Sequence, residues 1–100
     1  MKIIKDYVEK IDEELEGAMD YAEKFVEFKA VNDIHRADIF RDMALDELKH
    51  AGNIHSFAVE LIDKIEKIYP APEHMIEKWR QAHHEYIEHV QHIKHMLEVV

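Results

Sequence analysis

The chain has no cysteine, so neither a disulfide framework nor a thiolate metal site can be built from it. Its apolar residues never run together for more than a few positions, whereas a membrane-spanning helix needs about 20. No membrane partner is therefore expected. The opening segment MKIIKDYVEK lacks the apolar stretch of a secretory signal, and the cytoplasm is the expected location. Only two glycines and two prolines occur in 100 residues, which leaves turn chemistry for few connections. Basic side chains are also short: 13 against 22 acidic ones, for a net charge of −9 with histidine neutral. A surface of that sign repels phosphate and attracts cations, so nucleic acid is not an expected partner.

What remains is rich in helix-forming and apolar residues, 47% hydrophobic and 35% charged. That mix is too apolar for a disordered chain and too charged for a membrane protein. Breakers fall in two places. Asn32 suits a left-handed helix end, and Asp33 suits the N-cap of the next helix. Tyr69-Pro70-Ala71-Pro72 is the second break, with Pro72 fit to open a helix. The sequence thus predicts an all-α single domain over 1–100, with helices at about 2–31, 33–69 and 73–99. The first two form a long antiparallel hairpin, to which the third is added.

Each helix carries an apolar seam with steps of three and four, as bundle packing requires. In the first it runs Tyr7, Ile11, Glu14, Ala18, Tyr21, Phe25, Phe28, with Ile4, Val8, Leu15, Ala22 and Val26 widening it. In the second it runs Phe40, Met43, Glu47, His50, Ile54, Phe57, Leu61. In the third it runs Ile76, Trp79, His83, Tyr86, Val90, Ile93, Leu97, Val100. Glu14, Glu47 and His50 interrupt otherwise apolar or aromatic rows. A carboxylate placed there needs a partner that rewards its charge.

A hairpin turning at residue 32 sets position x against about 64 − x, so Glu14 faces His50. Glu47 and His50, three apart, share one helix face. Carboxylate oxygen and imidazole suit iron, manganese or zinc. The competing explanation is a polar core layer, a salt-bridge or hydrogen-bond cluster that fixes register in a metal-free helical interaction module. Gly17 and Gly52 lie within a turn of these residues. They allow either close helix approach or room for a metal or a second chain.

The segments Glu13-Glu14-Leu15-Glu16-Gly17-Ala18-Met19-Asp20-Tyr21 and Asp46-Glu47-Leu48-Lys49-His50-Ala51 resemble the ferritin-like di-iron carboxylate proteins, above all rubrerythrin-type domains and encapsulated-ferritin-like proteins. In that superfamily two helices each give a glutamate and two others each give Glu-x-x-His. The resemblance covers about residues 7–62 and implies a ferritin-like four-helix bundle with a carboxylate-bridged di-iron site. Its glutamates would bridge, its histidine would ligate terminally, and Fe(II) would be oxidised by oxygen or peroxide, a ferroxidase activity. Tyr21 takes the place of a tyrosine beside the ligands, as a supporting hydrogen-bond partner or as an ordinary core aromatic.

The chain departs from the pattern in holding one ligand set. Two carboxylates and one imidazole cannot hold two metals, so the resemblance implies completion by homodimerisation, with two iron ions per dimer, or by a higher homo-oligomer. Without cysteine there is no rubredoxin centre. The C-terminus, His-Met-Leu-Glu-Val-Val, carries no recognisable tag for an encapsulating shell.

Nine histidines are present, five of them between His83 and His95. His83 falls on the seam and is expected opposite about residue 59, clear of His50. His84, Glu88, His92 and His95 form a polar stripe. It reads as a solvated face or as a weak surface site for Zn(II), Ni(II) or Cu(II).

Overall fold

The computed structural model describes residues 2–99. It is all-helical: α1 is Lys2–Ala30, α2 is Ile34–Ile68 and α3 is Glu73–Met96. Each helix ends within a few residues of its expected limit. At the first turn Asn32 takes φ 60°, the left-handed conformation that asparagine tolerates better than most residues. Asp33 then caps α2, with Oδ1 accepting from the Arg36 amide at 3.2 Å and Oδ2 accepting from Arg36 Nη1 at 2.6 Å. At the second turn Pro72 sits at the N-cap of α3, where its missing N–H is no loss.

The α1–α2 hairpin packs along most of its length, whereas α3 touches α1 over a shorter stretch. The buried set is Ile11, Leu15, Ala18, Ala22 and Phe25 from α1, Ala37, Ala44, Leu48 and Ala51 from α2, and Ile93 and Leu97 from α3. Two anchors hold the end of α3: Arg41 Nε donates to the Leu97 carbonyl at 3.0 Å, and Lys29 pairs with Glu98. Val100, placed on the third seam, lies outside the described residues.

The seam expected for α2 needs correction. Its core column is Ala37, Ala44, Ala51 and Ala58, each seven residues from the next, with Leu48 and Ile62 beside it. The larger residues one position earlier, Met43 and Phe57, are 37% and 55% exposed. Alanine lets the two helix axes approach closely, so this column is the one buried against α1, while Phe57 reaches α1 only from the flank, through Tyr7. Val26, expected to widen the α1 seam, is likewise exposed. The molecule measures 54 × 22 × 17 Å, and a helix with side chains is about 10–12 Å across. A single further helix, packed mainly on α1, covers only one face of the hairpin, and the face with Met43, His50 and Phe57 stays open.

Candidate metal centre

The hairpin brings Glu14 of α1 and Glu47 and His50 of α2 together. One ligand atom from each lies within 4.8 Å of the others, and this is the group of three or more such side chains found among the described residues. His50 Nδ1 is 3.6 Å from Glu14 Oε2. Lys10 Nζ lies 3.6 Å from the other Glu14 oxygen. Glu14 is mostly covered, at 16% side-chain exposure, while the His50 ring is 55% exposed and opens outward.

The two carboxyls behave as a pair. A hydrogen bond between them holds Glu47 above the ordinary carboxyl range, helped by burial and by the charge of Glu14. The same bond lowers Glu14, and Lys10 and His50 lower it further against the opposing effect of burial. The two crowded carboxyls repel each other when both are charged, and a cation held between them would relieve that repulsion.

Gly17 makes room for this pair. A Cβ built there would lie 3.2 Å from Glu47 Oε2 and 3.5 Å from its Cδ, so the absent side chain is space taken by the Glu47 carboxylate. Gly52 differs, since a Cβ there meets only the Tyr86 hydroxyl at 3.6 Å. Aromatic pairs flank the cluster along the hairpin. Tyr7 meets Phe57 edge to face at 5.6 Å, and Phe40 lies 6.2 Å from Tyr21 and 5.6 Å from Phe28. Tyr21 thus packs as a half-buried aromatic, and among the described residues no hydrogen bond joins it to the three ligand-type side chains.

The polar stripe of α3 does not gather. His84 Nε2 lies 3.0 Å from Glu88 Oε1 with both side chains well exposed, and His92 and His95 join no ligand-type cluster. Glu13, beside the centre, is solvated and pairs with Lys10.

His83 is displaced from its expected neighbour by about a turn. It meets His55, with Nε2 of His55 2.7 Å from Nδ1 of His83, and not residue 59, because the extended Tyr69–Pro72 connection shifts the α2–α3 register. Tyr86 stacks on His55 at 4.2 Å and 10°. His55 was the functional candidate that sequence reasoning passed over. Its signal was a polar side chain on the flank of α2 that faces the Trp79, His83, Tyr86 row of α3.

Protein-family models, curated proteins and solved structures were compared with the chain, and none matches. No helix among the described residues is long and apolar enough to cross a membrane. The chemistry of the site must therefore be argued from its own donors: two carboxylates and one imidazole, a set suited to iron, manganese or zinc.

Proposed function

We propose that the chain is a ferritin-like metal-binding protein in which Glu14, Glu47 and His50 hold iron at an interface between two copies. The observation that carries this reading is where the ligand-type residues lie. His50 stands in an exposed apolar stripe with Ile39, Met43 and Phe57, and His50 is seven residues from each of the last two. Heptad spacing of this kind fits a facing helix. The stripe lies on the face that α3 leaves open, so a second copy seated there would cover it and bring its own ligand set. Together they offer four carboxylates and two imidazoles, the number a carboxylate-bridged pair of metals takes.

Glu14 and Glu47 would bridge or chelate, and His50 would ligate terminally. Iron held by these side chains would supply Fe(II) oxidation, two Fe(II) and two protons being consumed for each oxygen reduced to hydrogen peroxide. The protein's own part would be to set the donors in register, exclude solvent by pairing the aromatic flanks, and release the Lys10 contact with Glu14 as the cation enters. Manganese and zinc suit the same donors. Light scattering of the metal-free and Fe(II)-loaded protein tests the reading, with anomalous diffraction at the iron edge to locate the ions. The expected result is a dimer with two irons and loss of iron in Glu14→Ala and His50→Ala. A monomer that holds iron stoichiometrically would overturn it.

A second reading has one observation in its favour. Glu14 already has cationic or imidazole partners within the chain, with Lys10 Nζ and His50 Nδ1 each 3.6 Å from one of its oxygens. In that case the layer only sets register in a metal-free interaction module. Glu14→Leu would then keep the dimer with equal or greater stability, and Fe(II) would leave the melting temperature unchanged.

A further inference from the structure

Where α1 and α3 begin, the two helices diverge and leave a cavity of about 470 Å³. It lies apart from the metal centre, and its volume is in the range of sites for small organic ligands, about 300–1,000 Å³. Its floor is apolar, built from Ile4, Val8 and Trp79. Its rim is basic, with Lys2 and Lys5 on α1, and Lys78 and His74 on α3. The one carboxylate at the rim, Glu9, lies 3.8 Å from Lys5. Neither Lys2 nor Lys78 forms an ion pair or hydrogen bond among the described residues.

This charge runs against the rest of the molecule. In a chain of net charge −9, three ammonium groups around an apolar hollow form a local site of the opposite sign, which concentrates anions. A free phosphate would use the rim and leave the floor wet. A neutral apolar molecule would use the floor and leave the lysines idle. The two features together describe an anion with a single hydrocarbon tail.

We propose that this cavity binds a free long-chain carboxylate, its tail against Ile4, Val8 and Trp79 and its headgroup among Lys2, Lys5 and Lys78. Lysine heads can meet the carboxylate while their alkyl stems extend the apolar wall. A bilayer headgroup offers similar chemistry, but a chain of net charge −9 is repelled as a whole by an anionic membrane, whereas a single amphiphile needs only the hollow. The inference does not depend on metal binding.

Trp79 is the one tryptophan in the chain and lines the cavity, so its fluorescence reports directly. The metal-free 100-residue chain at pH 8 is titrated with laurate below its micellar concentration, with dodecanol and anionic phospholipid vesicles in parallel. The proposal expects a saturable blue shift with laurate and binding at least tenfold weaker for dodecanol. It also expects laurate binding about tenfold weaker for K2E/K78E, whose circular dichroism should match the parent. No saturable change, equal affinity for dodecanol, or undiminished binding to the charge-reversed variant would overturn it. So would a response to vesicles alone, which would assign the cavity to a membrane surface. A change of oligomeric state in K2E/K78E, which would assign it to a contact between copies, would do the same.

Discussion

Replacing Gly17 by alanine should raise the stability of the metal-free protein and lower its affinity for metal. The two effects have separate causes. Gly17 lies inside α1, where alanine is favoured over glycine by about 1 kcal/mol. In a domain of this size about 1 kcal/mol moves the melting temperature by roughly 4–8 °C. The added methyl group meets the Glu47 carboxylate at 3.2 Å, a few tenths of an ångström too close. The carboxylate ends a flexible side chain and can swing aside at little expense to the fold. A metal ligand cannot swing so freely, because supporting shifts around ligands typically lower affinity by about 10–100-fold. A tenfold loss is about 1.4 kcal/mol of binding free energy.

Gly52→Ala is the control. It takes the same helix-propensity gain, but its methyl group meets the Tyr86 hydroxyl at an ordinary 3.6 Å. The assay is thermal melting at one fixed protein concentration, without metal and then across an Fe(II) or Zn(II) series. Both variants should melt higher than the parent without metal. With metal, only Gly17→Ala should lose part of the added stabilisation. Undiminished metal stabilisation in Gly17→Ala would refute the claim that the glycine makes room for a ligand. A lowered metal-free melting temperature would show that the methyl group meets something less yielding than the Glu47 side chain.

Three further outcomes follow from the same geometry. Phe57→Glu places a charge in the open apolar stripe and should leave a helical monomer by light scattering; a dimer of parental strength would move the interface elsewhere. Leu15→Ala, at a site 1% exposed, should destabilise by about 2–5 kcal/mol in denaturant titrations, whereas a change below 1 kcal/mol would mean that α1 packs differently. His55 is held below its ordinary value of 6.5 by burial and by the neighbouring His83, so the unfolded chain binds the proton more readily. The stability this contributes is complete above about pH 6.5 and is lost as pH falls through the lower folded value. His83, Tyr86 and Trp79 face His55 from α3, and Asp12 of α1 lines the same small cavity. His55→Gln should therefore flatten the acid limb of the stability curve, and an unchanged limb would assign acid sensitivity to the carboxylates alone.

Much of the layout was legible because it depends on local chemistry. Asn32, Asp33 and Pro72 end or begin helices for reasons contained in their own side chains, and the hairpin register follows from where the turn lies. That register brought Glu14 level with His50. The face of α2 that meets α1 was less legible. Met43 and Phe57 outweigh Ala44 and Ala58 on any hydrophobic scale, yet the alanine column is the buried one because close approach of two long helices favours small side chains. An apolar row in a sequence shows that a face must be covered, but not whether this chain or another copy covers it. The His55–His83 contact was hidden for a different reason. Its register depends on the path of the extended Tyr69–Pro72 connection, where a shift of a few residues changes which side chain of α2 a given side chain of α3 meets.

The position of α3 decides what the open face can be. Had α3 packed over Met43, His50 and Phe57, the three donors would be sealed in one chain, too few for two metals and too many charges for a dry core. Instead α3 is fixed to the opposite side by the His55–His83 contact, by Arg41 on the Leu97 carbonyl and by Lys29 on Glu98. None of these contacts uses a residue of the stripe or of the cluster. The third helix therefore covers the back of the hairpin and leaves the front exposed. The donors sit where a second copy can reach them, Glu14 covered enough to strengthen its electrostatics and His50 exposed enough to be met from outside. On the proposed reading, metal binding and dimerisation would be linked through one surface. Each would then strengthen the other by the same factor, so that reading predicts a metal affinity that rises with the concentration of the protein itself.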